Sequence, residues 1–329
     1  MGDPSRCRCY ELPDEDRHER PGITRSRAHQ RLFQQFEHSA GLAGASSLVH
    51  TCPAIVTIPD AMTRLTRITE HVYWLPPGQP DRPSLCAVVG GRRTLMLDGG
   101  SSRAHTKEFL RALAAEGAAR PFAVVYTHSH WDHVFGGIEV DAPIVAQAST
   151  AERLVALAAM DWSDEALDLR LAAGEVSPGH VANVREELPA PRIVEVAPAD
   201  VIFHDGLSIE LGGATVSVRH LGGDHSAESS VMYVEPDQLL FLGDCTYPSP
   251  LGALTPERAF PLHEAILAFG AERYVEGHHP SIVSRHEMEQ LVEKMRLAER
   301  SVVEGLTITA PDEDTANFVE AFTAGHSSA

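Results

Sequence analysis

The sequence predicts a mixed α/β protein, and three observations carry that prediction. Short apolar runs bounded by Gly and Pro alternate with helical segments along most of the chain. Several of those runs end in a Gly turn followed at once by His or Asp. One run, Phe122-Ala123-Val124-Val125-Tyr126, leads straight into a loop dense in His and Asp.

Taken in order, residues 1–61 carry mixed charge and little apolar periodicity, and are expected to be a poorly ordered N-terminal extension with at most a short helix over 27–37. The folded domain is expected over 62–329, opening at Met62-Thr63-Arg64-Leu65. Val72–Leu75, Leu85–Val89 and Thr94–Leu97 read as strands, with Gly90-Gly91 as a hairpin turn. Thr106–Glu116 reads as a helix stopped by Gly117. The strand 122–126 and a short strand over 143–146 follow. Thr150–Leu188 is mostly helical in pattern and reads as an insertion that could lie over a functional site. Strands then return at 193–196, 201–204, 207–211, 214–220, 230–234 and 239–242. Pro256 stands at the first position of a helix, 274–276 is a last strand, and Ser284-Arg285-His286-Glu287 is a capping box that opens a long helix to about 304. A short helix over 314–322 closes the chain.

Bulk properties narrow the function. With 329 residues and 43% hydrophobic content the chain can bury a large core. Its net charge of -19 argues against a phosphate-binding surface for nucleic acid and against anionic membranes. The five cysteines, Cys7, Cys9, Cys52, Cys86 and Cys245, are odd in number and irregular in spacing, which suits a reducing cytoplasm. No signal-peptide pattern is visible at the N-terminus, and the apolar stretch 40–58 is too broken to span a bilayer.

The chemistry concentrates in His128-x-His130-x-Asp132-His133. In extended chain, side chains alternate, so His128 and His130 point the same way and can grip one metal ion. Asp132 and His133 sit where the chain turns and can reach a second. Three further candidates follow strand ends in the same design of apolar run, Gly turn and ligand. They are His225 in Gly222-Gly223-Asp224-His225, Asp244 in Leu242-Gly243-Asp244, and His278 in Glu276-Gly277-His278. Gly lets the backbone come close to an ion without a Cβ in the way.

These motifs, with the turn Leu97-Asp98-Gly99-Gly100, resemble the metallo-β-lactamase fold hydrolases over about residues 65 to 300. The resemblance implies an αββα sandwich, two mixed sheets face to face with helices outside and the site at one edge. It implies two zinc ions per chain, with iron or manganese as substitutes. One ion would be held by His128, His130 and His225, the other by Asp132, His133 and His278, with Asp244 bridging. Asp132 would also orient the nucleophile. His220 competes with His225, and His279 with His278. His220 lies inside a strand and Gly277-His278 matches the family turn, so His225 and His278 are preferred. Where many relatives carry Gly before the third histidine, this chain has Asp224. Asp98 is expected to hold the ligand loop by hydrogen bonds, and Cys245 to be a small packed residue. Tyr247 in Asp244-Cys245-Thr246-Tyr247 resembles the Asp-x-x-Tyr of the family's acyl-homoserine lactonases. It is either a donor to the developing oxyanion or an ordinary loop tyrosine. The other histidines, His105, His180, His204, His263 and His286, are expected at the surface or in caps.

The implied function is cleavage of an ester, thioester or lactone in a small acyl substrate by a metal-bound hydroxide, in the manner of glyoxalase II-like thioesterases or lactonases. Neither a nucleic-acid nor a membrane partner is expected, and a homodimer is compatible with the pattern. The alternatives are an iron-dependent redox member of the fold (a persulfide dioxygenase), a β-lactamase, and a non-catalytic metal-binding protein.

Overall fold

A computed structural model of the chain describes residues 63–305 and 312–328. The expected disordered extension over 1–61, and the start at Met62, lie outside those residues.

Two mixed sheets form the centre. The first runs β1 (Thr66–Arg67), β2 (Val72–Leu75), β3 (Leu85–Val89), β4 (Thr94–Leu97), β5 (Ala123–Val125), β6 (Ile144–Gln147) and β7 (Val201–Phe203), in that spatial order. Its hairpin-linked strands β1 to β4 are antiparallel, while β4 to β7 are parallel. The helix α1 (Arg103–Ala115) makes the crossover between β4 and β5. Short α2 (Trp131–Val134) and a 3-10 turn (Gly137–Val140) lie between β5 and β6, and α3 (Ala148–Ala159), α4 (Asp164–Ala172) and α5 (Pro178–Glu187) lie between β6 and β7. The second sheet comprises β8 (Gly206–Glu210), β9 (Thr215–His220), β10 (Ser230–Glu235), β11 (Leu239–Gly243), β12 (Arg273–Glu276) and β13 (Val283–Ser284), in the order β13-β12-β11-β10-β9-β8. Within it β11 and β12 are parallel, separated in sequence by α6 (Pro256–Ala268). The long α7 (Arg285–Val303) and α8 (Glu313–Ser328) complete the chain.

Strand periodicity explains the layering. In β11, Leu239 and Phe241 enter the core between the sheets, whereas Leu240 and Leu242 pack outward with Leu262 and Ile266 of α6 and Met288 of α7. In β4, Leu95 and Leu97 join that central core, and Met96 faces Phe109 and Leu113 of α1. Both faces of each sheet are therefore buried, and the four layers are the expected αββα sandwich.

The insertion is three helices docked on the outer face of the first sheet. Leu154, Trp162, Leu167, Val181 and Val184 are its buried contacts. Its end is fastened by Glu187, a buried carboxylate that accepts from Arg82 Nε at 2.9 Å, from Ser101 Oγ at 3.2 Å and from Ser102, the residue capping α1.

Most expected strands and helices form within a few residues. The strand expected over 193–196 does not. Val194 and Val196 lean on the outer core in alternation, but Ile193 is 82% exposed. The edge position beside β6 is already taken by β7, so the segment has no ladder to join. The capping box at Ser284 and Glu287 and the Pro at the start of α6 are both present.

Candidate metal centre

The candidate residues gather where parallel strands of the two sheets end side by side. After β5 the chain enters the loop through Thr127. Thr127 donates from N to Asp98 Oδ1 (2.7 Å) and from its hydroxyl to Asp98 Oδ2 (2.9 Å). Asp98 Oδ2 also accepts from His133 Nδ1 at 2.8 Å, and Gly99 N donates to the His133 carbonyl at 2.7 Å. Asp98 is fully buried and sits at φ +61°, a left-handed conformation Asp tolerates better than most residues. Its carboxylate thus spans both ends of the loop, as expected. The one-turn helix α2 places Trp131 against the core and turns Asp132 and His133 toward the second sheet.

The structure brings the seven candidate residues into two groups. His128, His130 and His225 form one; Asp132, His133, Asp244 and His278 form the other. Within each group the potential ligand atoms all lie within 4.8 Å of one another. In the first, His130 Nδ1 faces His225 Nε2 at 2.9 Å. In the second, His133 Nε2 lies 3.1 Å from Asp132 Oδ2 and 3.2 Å from Asp244 Oδ2, and His278 Nε2 lies 3.1 Å from Asp132 Oδ2. Asp244 Oδ2 is also 3.3 Å from His225 Nε2, so this carboxylate touches both groups. His220 and His279 belong to neither: His220 Nε2 meets the Ala227 carbonyl and His279 Nδ1 the Ser281 carbonyl.

Several ring nitrogens are held from behind, which frees the other for an ion. His225 Nδ1 donates to the Pro248 carbonyl at 3.0 Å, His133 Nδ1 to Asp98, and His128 Nδ1 contacts Thr127 Oγ1 at 3.0 Å. The groups fit a divalent cation on their own chemistry. His128 Nε2 and Asp244 Oδ1 are buried and lack any hydrogen-bond partner. Imidazole and carboxylate donors together suit zinc, iron or manganese. Gly277 makes room, because a Cβ there would stand 1.9 Å from Asp244 Oδ1.

Electrostatics separates the two groups. Burial, then the His133 and His130 rings, holds His128 well below the ordinary imidazole value; burial and His225 hold His130 at about 4. For His278, burial is outweighed by Asp244 and Asp132, and its value rises to about 10. His133 likewise rises, because Asp132, Asp244 and Asp98 together outweigh its burial. Without an ion, the second group therefore holds positive charge against its two carboxylates.

The centre lies at the floor of a cavity of about 730 Å³. Asp132, His130, His225, Asp244 and His278 face it, as does Tyr247. The Tyr247 oxygen accepts from His278 N at 3.2 Å, and its ring stands 6.2 Å from that of His225. The insertion supplies the opposite wall through Leu157, Met160, Trp162 and Val176. Asp224, the departure from the family pattern, accepts from Thr255 N and Oγ1 at 2.8 Å each, and so ties the His225 loop to the start of α6. Cys245 is buried in the outer core with Leu242 and Leu262.

The expectation that the other histidines lie at the surface or in caps needs correction at three residues. His105 and His263 are each only 1% exposed, because α1 and α6 turn them inward, and His180 lines the cavity. Sequence reasoning also missed Asp81, whose carboxylate lies 3.6 Å from His278 Nδ1, and the buried Glu228, which accepts from Ser129 at 2.6 Å. Neither stands in a motif; Asp81 carries only the signal of following Pro80.

The chain belongs to the metallo-beta-lactamase superfamily, whose family model matches residues 80–293. The sandwich is shared with solved structures. A metallo-beta-lactamase family protein from Thermus thermophilus superposes with TM-score 0.53 at 18% identity, covering 78% of this chain and 91% of that one. An archaeal superfamily protein from Sulfolobus tokodaii superposes with TM-score 0.51 at 16% identity, covering 79% and 99%. Among curated proteins, the acyl-coenzyme A thioesterases MBLAC2 of Bos taurus and Homo sapiens are each 28% identical over 181 residues, 52% of this chain. The match spans 61% of the length of those relatives. No helix among the described residues is long and apolar enough to cross a membrane.

Proposed function

We propose that this protein is a metal-dependent hydrolase of acyl compounds, with a thioester as its first candidate substrate and esters and lactones behind it. The observation that carries this is the pairing of the two ligand groups with one shared carboxylate, Asp244, in the lining of a cavity of about 730 Å³. His128, His130 and His225 would hold one divalent cation, taken as zinc, and Asp132, His133 and His278 a second, with Asp244 common to both. Such ions, when bound, supply Lewis acidity and lower the pKa of water, so that a nucleophile is available near neutral pH.

The chain's own residues do the rest. The wall of Leu157, Met160, Trp162 and Val176 excludes water and accepts an acyl chain. Tyr247 already accepts from His278 N, so its phenolic proton remains to be donated to a carbonyl oxygen gaining charge. Asp132 faces the cavity and is the carboxylate placed to hold the proton of the attacking water and return it to the departing group. The thioester preference draws on the thioesterase relatives and on the apolar wall. With Cys86 and Cys245 buried as free thiols, a reducing cytoplasm is the proposed compartment.

The test is metal stoichiometry coupled to a hydrolysis panel of thioesters, esters and lactones. About two zinc ions per chain, with thioesterase activity that collapses by orders of magnitude in His128→Ala and Asp132→Ala at unchanged fold, is the expected result. Retained activity in those variants removes the proposed centre. Iron with oxygen uptake on a persulfide would replace hydrolysis by redox chemistry.

A further inference from the structure

The cavity wall contributed by the insertion is not wholly apolar, for it carries Arg153 on α3 and Arg170 on α4. Arg170 is held in place without a carboxylate. Its guanidinium lies 4.8 Å over the Trp162 ring, Nη2 donates to the Asp161 carbonyl at 2.7 Å, and Nη1 approaches Met160 Sδ at 3.9 Å. Trp162 is itself buried, edge-on to Phe135 at 4.9 Å. The stem and plane of Arg170 are thus fixed, while no Asp or Glu among the described residues comes within ion-pair distance of it. This occurs in a chain with 46 acidic and 27 basic side chains, where a carboxylate partner would be easy to supply.

Arg153 is tethered by one atom. Its Nε lies 3.3 Å from Oε1 of buried Glu228, which accepts from Ser129 between His128 and His130. The terminal nitrogens of Arg153 have no partner among the described residues, and its side chain is 59% exposed. Besides Asp132 and Asp244 of the centre, two more carboxylates border the cavity. Asp81 is engaged by His278 and by Asn183, and Glu175 is exposed. A guanidinium ordered in advance by stacking and a backbone carbonyl loses little freedom when it meets an anion. Its fork matches phosphate or carboxylate oxygens.

We infer that Arg170, assisted by Arg153, forms an anion subsite on the insertion, and that the substrate is an acyl compound bearing a phosphate or carboxylate away from the bond that is cleaved. This rests on the hydrolase reading and narrows its substrate class: a neutral lactone or simple ester leaves the subsite unused. The anion can sit on the thiol half of a thioester or at the far end of its acyl half.

Product binding tests this without requiring turnover. Affinities of the metal-loaded full chain are measured by calorimetry for two matched pairs. Coenzyme A and pantetheine share a thiol end but only the first carries phosphates; glutarate and valerate differ by one carboxylate. The wild type should bind the more anionic member of one pair at least tenfold more tightly, and the advantage should shrink between low and high salt. The pair that discriminates identifies the half that carries the anion. Arg170→Gln, and Arg170→Met as a variant that keeps the stem over Trp162, should remove most of that advantage. They should leave pantetheine and valerate binding and the thermal midpoint unchanged. Equal affinities within both pairs in the wild type, or full discrimination in the Arg170 variants, would overturn the subsite. Discrimination lost in the variants of a protein that hydrolyses nothing leaves the subsite standing and removes the hydrolase. Thioester hydrolysis without discrimination does the reverse.

Discussion

Replacing Asp98 with Asn changes one atom of the loop's anchor and makes a quantitative test of it. The Oδ1 bond to Thr127 N at 2.7 Å fixes which end of the side chain stays oxygen. The new amide nitrogen then takes the place of Oδ2, facing Thr127 Oγ1 at 2.9 Å and His133 Nδ1 at 2.8 Å. The hydroxyl can rotate and accept. The imidazole cannot, because a His133 that offers Nε2 to an ion must keep its proton on Nδ1. A buried donor left facing a donor costs about 1–3 kcal/mol, which corresponds to about 5- to 150-fold in metal affinity. The backbone is spared, since Asn accepts a φ of +61° nearly as well as Asp. The assay is equilibrium competition with a chelator of known affinity, together with the thermal midpoint of the metal-free protein. One ion should weaken by that factor, while the metal-free variant loses less stability, because His133 can there release its Nδ1 proton and keep the Nε2 proton toward Asp132 and Asp244. An Asp98→Asn protein that holds both ions as tightly as wild type would refute the anchoring role.

Gly277→Ala should abolish metal retention at an otherwise intact fold, because its Cβ would meet Asp244 Oδ1 at 1.9 Å and His133 Cε1 at 3.2 Å; metal content after gel filtration decides it. Tyr247→Phe should lower kcat about a hundredfold with KM changed only a few-fold, as expected for an oxyanion donor. An unchanged kcat would make it an ordinary loop tyrosine. His263 donates from Nδ1 to the Ala259 carbonyl at 2.8 Å and leaves Nε2 buried without a partner, and burial lowers its pKa. Its stabilising contribution is complete above the unfolded value of about 6.5 and is lost as pH falls below it, by up to about 1.4 kcal/mol per pH unit. Denaturant titrations of the metal-free protein between pH 7.5 and 5.5 should therefore show the wild type losing stability relative to His263→Gln; parallel curves would contradict this.

The order of strands and the seven convergent residues were legible because each follows a buried strand whose period of two fixes which side faces the core. The strand ends place the side chains before any tertiary contact is known, as with Phe241 and Gly243 in β11 and Asp244 just after it. What supports the centre was not legible. Asp81 and Glu228 come from loops distant in sequence, and their roles depend on the docking of the insertion and of the β9–β10 connection. The segment 193–196 alternates like a strand, yet the alternation records only contact with the outer core. The inward turn of His105 and His263 was invisible because a helical face rotates with small shifts in its boundary, and α1 begins three residues before the expected start. Arg170 needs Trp162 beneath it, a pairing set by the turn between α3 and α4.

Each group of candidate ligands draws members from both sheets. The first joins His128 and His130 to His225, and the second joins Asp132 and His133 to Asp244 and His278. During synthesis the loop at 128–133 emerges early, but neither set can close before the second sheet forms. The second set waits for His278, 146 residues after Asp132. A nascent or half-folded chain therefore offers an ion only an incomplete grip, and full affinity arrives with the last parallel strand, β12. Any ion that binds the finished centre but not the open chain adds to stability as RT ln(1 + [L]/Kd), about 4 kcal/mol at a thousandfold excess over Kd. The centre is in this sense a checkpoint on assembly, since a chain whose sheets have not docked can close neither ligand group around an ion.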